Sequence, residues 1–289
     1  MTTNSLSSKT NRDKYRSAQI QQALRKALVI EDVCLVDRSD LKTISSPYVT
    51  AVTATVQAVV GTYTPANFTT TDDTLTVADE VIASVNIKGF EKILANFDLF
   101  FAANTAMTNS VKEALDKWGV NELCDGGTST LDTPVGGFTT PSNVNQIVGD
   151  ILGKVAGYAD PLNGLYLILE NTDVTGIFQN QVTTGFKFAD KAAENGLIGH
   201  IGGIDIYIVR TGTFATAAAT TVSGSKTWTN SGHRVAGVKR VATYAAPRGL
   251  QFEEKGVTGV TGEELVVYGL VGFKQWTPTA TLTIDITIK

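Results

Sequence analysis

The residues with the greatest potential for chemistry are two histidines and a glycine-rich stretch. His200 lies in "NGLIGHIGGIDIYIV" (residues 195–209), whose glycines could cradle a phosphate, and His233 lies in "TNSGHRV". A dinucleotide-binding turn follows a strand and opens a helix, so that helix N–H groups point at the phosphates. Here the glycines precede a strand, their spacing is G-x-x-G-x-x-G-G, and no GK[ST] follows. The pattern indicates backbone architecture and argues against a nucleotide site.

The remaining catalytic candidates lack partners in the sequence. Neither histidine has a carboxylate or cysteine positioned beside it, so a structural or exposed imidazole is the preferred interpretation. The pairs Asp72–Asp73 and Glu253–Glu254 are adjacent residues, which on a strand point to opposite faces and do not form a carboxylate dyad. The sequence therefore predicts no catalytic residue, no cofactor-binding residue and no metal ligand, and the protein is not expected to be an enzyme.

The composition is that of a folded protein. The chain has 289 residues, of which 43% are apolar and 18% charged, enough for one large or two modest domains. Its longest apolar runs, at 164–169 and 264–271, are far short of the ~20 residues that cross a bilayer, so a soluble protein made in a cytoplasm is expected. Cys34 and Cys124 are isolated, which argues against a disulfide scaffold or a structural zinc site.

The charge is distributed unevenly along the chain. Residues 1–26 carry six basic side chains and one acidic one, whereas the whole chain has a net charge of −4, so a basic arm precedes an acidic body. The segment 1–14 is polar, and from Tyr15 to Leu28 apolar residues recur at helical spacing. Two interpretations remain open: a solvated tail, or an arm that lies against a neighbouring protein or a polyanion.

A long hairpin is predicted over residues 49–90. "VTATVQAVV" (52–60) alternates between apolar and polar residues, "GTYTPANFTTTDDT" interrupts it, and "LTVADEVIASVNI" (75–87) resumes β-rich composition. A hairpin cannot bury both of its faces alone. Residues 61–80 contain too few apolar residues to belong to the core, and no strand follows nearby, so the hairpin is expected to need a partner surface.

Two helices are predicted after the hairpin. Apolar residues at helical spacing indicate a helix over 90–118 that ends at Gly119, with "AANTAMTN" (102–109) as a candidate break. A second helix follows Pro141, with Ser142 or Asn143 as its N-cap. Its glycines form a bare strip where another backbone could approach: Gly149, Gly153 and Gly157.

The C-terminal half mixes strands with one short helix. "GLYLILEN" (164–171) reads as a buried strand, "TDVTGIFQNQ" (172–181) as a short helix, and residues 213–232 as a loop. "ELVVYGLVGFKQW" (264–276) and "TLTIDITIK" (281–289) read as strands, whereas "VAGVKRVATYA" (235–245) fits either a helix or a strand. These elements give the chain a mixed α+β composition.

The order of these parts resembles the major capsid proteins of tailed bacteriophages, which have the Hong Kong 97-type fold. The likeness runs along nearly the whole chain: a basic arm, a long hairpin, the long helix "FEKILANFDLFFAANTAMTNSVKEALDKW" and a central α/β region. "LYLILEN" followed by "GLIGHIGGIDIYIV" is similar to the family's strand, short helix and glycine-rich turn. "EELVVYGLVGFKQWTPTATLTIDI" is similar to its closing hairpin.

The resemblance implies an α+β fold divided as in that family. The implied parts are the N-terminal arm (1–28), a connection into the peripheral domain (29–48), the E-loop (49–90), the peripheral domain with its spine helix (91–140), the axial domain (141–235), and return strands of both domains (236–289). The lone hairpin would then find its partner surface on an adjacent subunit.

The resemblance also implies a function. The protein would assemble through hexamers and pentamers into the icosahedral head shell of a virion, in the cytoplasm of a bacterial host, with no cofactor and no membrane contact. Scaffolding, portal and decoration proteins would be partners. Packaged double-stranded DNA would be contacted non-specifically by the arm residues Lys9, Arg12, Lys14 and Arg16, and a neighbouring subunit by the E-loop residues Tyr63, Pro65 and Phe68.

Two alternatives stay open at the level of sequence. An encapsulin-like compartment would share the fold and enclose protein cargo instead of a genome. A nucleotide-using α/β enzyme is the second alternative, and the order of the glycines argues against it.

Overall fold

The computed structural model describes residues 28–49, 56, 61, 69–88, 99–155, 164–179, 187–188, 196–215, 220–222, 226–228, 232–256 and 262–289. Within these ranges the chain is α+β, as expected. The helices are α1 (Val29–Val33), α2 (Leu99–Gly126), α3 (Pro141–Val155) and α4 (Val174–Gln179), with 3₁₀ turns at Gly137–Thr139 and Thr277–Leu282. None of the described helices is long and apolar enough to cross a membrane.

Sixteen strands are described, most of them in two sheets. In chain order they are β1 (Leu35–Asp37), β2 (Thr43–Val49), β3 (Thr70–Thr76), β4 (Asp79–Lys88), β5 (Ser129–Asp132), β6 (Leu165–Glu170), β7 (Lys187–Phe188), β8 (Leu197–Ile201), β9 (Ile204–Val209), β10 (Thr220–Val222), β11 (Lys226–Trp228), β12 (His233–Val238), β13 (Ala242–Ala245), β14 (Leu250–Gly256), β15 (Gly262–Gln275) and β16 (Thr283–Thr287).

The first sheet has five strands and is organised around β15. This strand pairs antiparallel with both β4 and β14 over its first part and with β13 over residues 272–275, and β1 pairs parallel with β13. The second sheet has seven strands in the order β5-β16-β12-β6-β9-β8-β7. Two small ribbons, β2–β3 and β10–β11, complete the described strands.

The core consists of two clusters of buried apolar residues, one on each face of the seven-stranded sheet. Helix α2 lies between the two sheets, where its buried Val111, Leu115 and Trp118 share one apolar cluster with residues of both sheets. Helix α3 covers the other face of the seven-stranded sheet with Val144, Ile147 and Ile151. The predicted buried strand 164–171 is confirmed as β6, with all six residues buried, and the short helix after it is confirmed as α4.

Helix α2 differs from its prediction at both proposed interruptions. It runs unbroken through residues 102–109 and continues past Gly119 to Gly126, because Val120, Leu123 and Cys124 extend the buried face by almost two turns. Gly119 is therefore a packing position. A Cβ atom there would lie 2.6 Å from Ile30 Cγ1, so the absence of a side chain lets α1 cross the helix. Residues 90–98 of the predicted helix lie outside the described ranges.

Helix α3 begins two or three residues earlier than the predicted N-cap implies. Pro141 is its first residue, so Ser142 and Asn143 lie inside the helix and neither is the N-cap. Asn143 instead donates from Nδ2 to the carbonyl oxygen of Val135, at 3.0 Å. The predicted close approach at the glycine strip is also absent from the described residues, because a Cβ atom at Gly149 or Gly153 would meet nothing within 4 Å. Gly157 lies outside the described ranges.

The predicted hairpin over 49–90 is wrong in its pairing. Its second arm is two strands, β3 and β4, separated at Val77 and Ala78. Strand β3 pairs with β2, whose residues precede the predicted first arm, and β4 pairs with β15 along its whole length. The partner of β4 therefore belongs to the same chain, and no local pattern reveals it because the paired residues are 174 to 192 positions apart. The predicted arm 52–60 lies outside the described ranges except for Val56.

The glycine-rich stretch is a β-hairpin. Gly202 and Gly203 have φ angles of +57° and +85° and connect β8 to β9, the backbone of a two-residue turn that suits antiparallel strands. Gly196 has φ of +91°, and a Cβ atom there would lie 2.7 Å from the carbonyl oxygen of Ile208. The architectural interpretation of the glycines is confirmed, although strand β8 itself was not predicted.

The segment left open between helix and strand is resolved as strands, and the predicted loop 213–232 is wrong in part. Residues 235–245 form parts of β12 and β13, joined by a turn in which Arg240 has φ of +63°. The predicted loop 213–232 contains the ribbon β10–β11, and Trp228 at its end is fully buried, with Nε1 donating to Glu122 Oε1 at 2.8 Å.

Candidate functional site

The residues predicted to make functional contacts lie outside the described ranges. These are Lys9, Arg12, Lys14 and Arg16 of the arm and Tyr63, Pro65 and Phe68 of the hairpin tip. What the structure describes is the β2–β3 ribbon, which carries the tip residues on its connecting segment 50–69. The ribbon and the surface at its base are the candidate functional site.

The β2–β3 ribbon is long and poorly covered. Its strands pair over seven residues, from Thr43 opposite Thr76 to Val49 opposite Thr70, a length of about 23 Å. Val49, at the far end, is 52% exposed, and Val56 on the connecting segment is fully exposed. A two-stranded ribbon is at best marginally stable alone in water. The base of the ribbon must therefore hold it to the body.

Two buried side chains attach the ribbon to the body: Asp73, at the middle of β3, and Leu75, near its inner end. Asp73 Oδ1 accepts from Lys274 Nζ at 2.6 Å, and Oδ2 accepts from the backbone N–H of Thr277 at 2.9 Å and from its hydroxyl at 2.8 Å. Burial acts to raise the pKa of Asp73, but the hydrogen bonds from Lys274 and Thr277 outweigh it and lower that pKa to about 2. Leu75 is fully buried beside β15.

The ribbon also crosses β15 at close range. A Cβ atom at Gly272 would lie 2.9 Å from the carbonyl oxygen of Thr76 and 3.0 Å from Val77 Cα, so only glycine fits at this crossing. The backbone N–H of Val77 donates to the carbonyl oxygen of Lys42 at 2.9 Å, which closes the base of the ribbon. The expectation that Asp72 and Asp73 face opposite sides is confirmed, since Asp72 is exposed and Asp73 is buried. The partners of Asp73 gave no sequence signal because they are 201 and 204 positions away.

An apolar cleft lies beside the base of the ribbon. It has a volume of about 380 Å³ and is lined by residues from three places: Lys42 and Val77 at the ribbon base, Pro247 and Arg248 before β14, and Tyr268 and Leu270 on β15, among others. Leu41 and Leu270 at its rim are 59% and 46% exposed. Exposed apolar side chains grouped around a cleft are typical of a surface that another protein covers.

A second cleft, of about 260 Å³, lies between α1, α2 and the first sheet. Leu28, the first described residue, forms part of its wall with Leu115 and Val271.

His233 has the carboxylate partner that the sequence did not reveal. Its Nδ1 lies 2.5 Å and 2.7 Å from the two carboxylate oxygens of Asp285, on the neighbouring strand β16. Burial raises the pKa of Asp285, and the contact with His233 offsets only part of that rise. The pair lies on the sheet face that packs against α2, and it links two strands of the core. His200, in contrast, is exposed on β8.

A buried ionic cluster surrounds Arg234. Its guanidinium donates from Nε and Nη2 to Asp173 and from Nη2 to Glu170 at 3.3 Å, and it stacks 5.0 Å from the centre of the Phe214 ring. Glu170 in turn accepts from the backbone N–H groups of Gly212 and Phe214. The cluster therefore ties β12 to the end of β6 and to the loop after β9.

A second cluster joins α1 to the seven-stranded sheet. The Tyr207 hydroxyl donates to Asp32, and Lys239 Nζ donates to Asp205 at 2.8 Å and to the Tyr207 oxygen at 2.5 Å. Burial, with the neighbouring carboxylates, raises the pKa of Tyr207. In both clusters the charged groups are bonded to one another across core elements, as in structural networks. The described residues contain no group of three or more His, Cys, Asp or Glu side chains that could hold a metal.

Comparison with known proteins finds relatives by structure alone. No protein-family model matches the sequence, and no curated protein matches it. Among solved structures, the capsid structure of the cyanophage P-SCSP1u superimposes with a TM-score of 0.71 at 14% identity, covering 96% of this chain and 94% of that one.

Two further capsid structures agree. One is the asymmetric unit of the mature capsid of bacteriophage PhiM1, with a TM-score of 0.67 at 10% identity and coverage of 94% of this chain and 90% of that one. The other is the capsid of Ralstonia phage GP4, with a TM-score of 0.64 at 11% identity and coverage of 100% and 98%. The chain therefore has the fold found in these phage capsid structures, over nearly its full length.

Proposed function

We propose that this chain is a structural major capsid protein, which builds the head shell of a tailed phage around double-stranded DNA. The observation that carries the proposal is the extent of the structural likeness, which covers at least 94% of this chain and 90% of each of the three capsid chains described above. A shared domain alone would leave large parts of either chain unmatched. The protein would act as a structural component and not as an enzyme.

The domain assignments of the Hong Kong 97-type fold fit this proposal. Residues 1–28 would be the N-terminal arm, α2 the spine helix of a peripheral domain within 91–140, and residues 141–235 most of the axial domain, with 236–289 returning through both domains. Within the E-loop assignment of 49–90, β4 is part of the first sheet of its own chain. The projecting E-loop would therefore be the β2–β3 ribbon with its segment 50–69.

The partners follow from the same proposal. Subunits would associate as hexamers and pentamers, with the tip residues Tyr63, Pro65 and Phe68 meeting a neighbouring subunit. The exposed ribbon and the apolar cleft at its base support such contacts, because each presents apolar surface that its own described chain leaves uncovered. The arm would contact DNA through Lys9, Arg12, Lys14 and Arg16, and portal, scaffolding or decoration proteins would join the assembled virion.

Electron microscopy of the purified protein tests the proposal. Closed icosahedral shells built from hexamers and pentamers are expected, with or without a co-expressed scaffolding protein. A monodisperse monomer in light scattering at high concentration, under both conditions, would contradict it. DNA that is protected from nuclease inside particles from infected cells would support a phage head, whereas a protein cargo without DNA would favour an encapsulin-like compartment.

A further inference from the structure

Full burial on strand β3 is confined to two of its residues. Of the seven residues of β3, only Asp73 and Leu75 are buried, and the other five are exposed. Leu75 and the crossing at Gly272 hold the ribbon against β15. The apolar contact of Leu75 is not directional, and the backbone crossing at Gly272 lies at Thr76 and Val77, at the inner end of the ribbon.

The contacts of Asp73 are directional. Its two oxygens are held by different parts of the body: Oδ1 by Lys274 near the end of β15, and Oδ2 by Thr277 in the following 3₁₀ turn. Charge-assisted hydrogen bonds of 2.6–2.9 Å lose strength quickly when their geometry changes. With both oxygens engaged, the carboxylate cannot turn about one bond while keeping the other.

We infer that Asp73 is a positioning residue. Its bonds to Lys274 and Thr277 set the direction in which the ribbon leaves the subunit, and subunits need that direction to close into shells of a single size. A contact between one part of a subunit and a different part of the next closes into a ring only when the rotation between copies is correct. The second half of the inference rests on the proposed capsid function, whereas the first half concerns the isolated subunit.

The direction of the ribbon can be measured in the unassembled subunit. Spin labels on Thr70→Cys, at the far end of the ribbon, and Gln146→Cys, on the exposed face of α3, report one distance between ribbon and body. The native Cys34 and Cys124 are 3% and 2% exposed, so they do not compete for the label. The Asp73→Asn and Lys274→Ala variants should broaden the distance distribution, and Asp72→Asn, one residue away and exposed, should leave it unchanged. An unchanged distribution in Asp73→Asn overturns the inference.

Assembly is then compared at a temperature well below the melting transition of every variant. Asp73→Asn should give fewer closed shells and a mixture of sizes, and Asp72→Asn should assemble like the parent. Ile151→Val serves as a destabilised control that leaves Asp73 intact. Ile151 lies on the buried face of α3, far along the chain from the ribbon. Uniform shells from Asp73→Asn, or the same mixture from Ile151→Val, overturn the positioning role. If the parent itself forms no shells, the capsid proposal fails, and the distance measurement still decides whether Asp73 aims the ribbon.

Discussion

At the scale of single residues, Asp72 and Asp73 have opposite environments on one strand. The lowered pKa of Asp73 means that the folded protein stabilises the ionised carboxylate more than the unfolded chain does. The stability from this carboxylate should be fully present above its ordinary pKa of about 3.9 and should be lost as the pH falls towards 2.

The Asp73→Asn variant tests this dependence. At pH 7 it should lower the free energy of unfolding by about 1–2 kcal/mol, because the charge-assisted bonds to Lys274 and Thr277 are weakened. In chemical denaturation at a series of pH values, variant and parent should converge between about pH 4 and pH 2. Asp72→Asn should stay within about 0.5 kcal/mol of the parent throughout. A constant difference between Asp73→Asn and the parent down to pH 2 would contradict the assignment.

Arg234 and Arg38 provide a second comparison of single residues. Arg234→Met should lower the free energy of unfolding by about 3–5 kcal/mol, because it leaves Asp173 and Glu170 buried without their counter-charge. Arg38→Met removes an ion pair in which the Arg38 side chain is 65% exposed and the Glu31 side chain 32% exposed. It should lower the free energy of unfolding by less than about 1 kcal/mol. Urea unfolding measures both values, and equal losses would show that the buried cluster is not the structural link described here.

At the scale of elements, prediction from sequence succeeded where local periodicity carried the information. Helix α3, strand β6 and the long strand β15 follow from their apolar spacing alone. It failed where a distant contact decides the structure. Gly119 reads as a helix end because nothing nearby reveals that Ile30 packs against it, and β4 reads as unpartnered because β15 is far along the chain.

The carboxylate contacts show the same limit. His233 and Asp285 are 52 positions apart, and Asp73 and Thr277 are 204 apart, so neither pairing has a local pattern. The neighbouring residues do predict that such a side chain lies on a strand and which face of the strand it occupies. The opposite exposure of Asp72 and Asp73 illustrates this.

Two glycines in helices should respond in opposite ways to alanine. Gly149→Ala on α3 should raise the free energy of unfolding by about 1 kcal/mol, because the new methyl group meets open space and the helix gains propensity. Gly119→Ala on α2 should lower the free energy of unfolding by about 1–2 kcal/mol. The methyl group would overlap the Ile30 side chain, and the energy cost of this overlap should exceed the gain in helix propensity. Thermal unfolding of both variants checks the signs. Stabilisation of both would mean that α1 does not pack on Gly119.

At the scale of the whole molecule, the basic arm and the acidic body are expected to act separately. Replacement of Lys9, Arg12, Lys14 and Arg16 by glutamine should leave empty shells intact and weaken genome retention, because each lost phosphate contact reduces the salt-dependent attraction to DNA. Retention of DNA at increasing salt concentration measures the effect. Failure of the empty shells themselves would place the arm between subunits instead.

The segment 50–69 should be dispensable for folding and required for assembly. The expectation that residues 61–80 lie outside the subunit core is wrong for the second half of that range, because Asp73 and Leu75 are buried and β4 begins at Asp79. The sharper variant joins Val49 to Thr70 through Asn-Gly, since these two residues are already paired and a two-residue turn preserves their register.

That variant keeps the contacts of Asp73 and Leu75 with the body, so it should melt cooperatively within a few degrees of the parent. It removes the apolar side chains that would reach a neighbouring subunit, so it should remain as small oligomers in light scattering and electron microscopy. A second variant keeps the length of the segment and changes only Tyr63, Pro65 and Phe68 to serine. Reduced assembly in both variants would assign the contact to those side chains, and a defect in the shortened variant alone would assign it to the rest of the segment. Normal shells from the shortened variant would show that the segment 50–69 does not connect subunits, which would contradict its assignment as the tip of the E-loop.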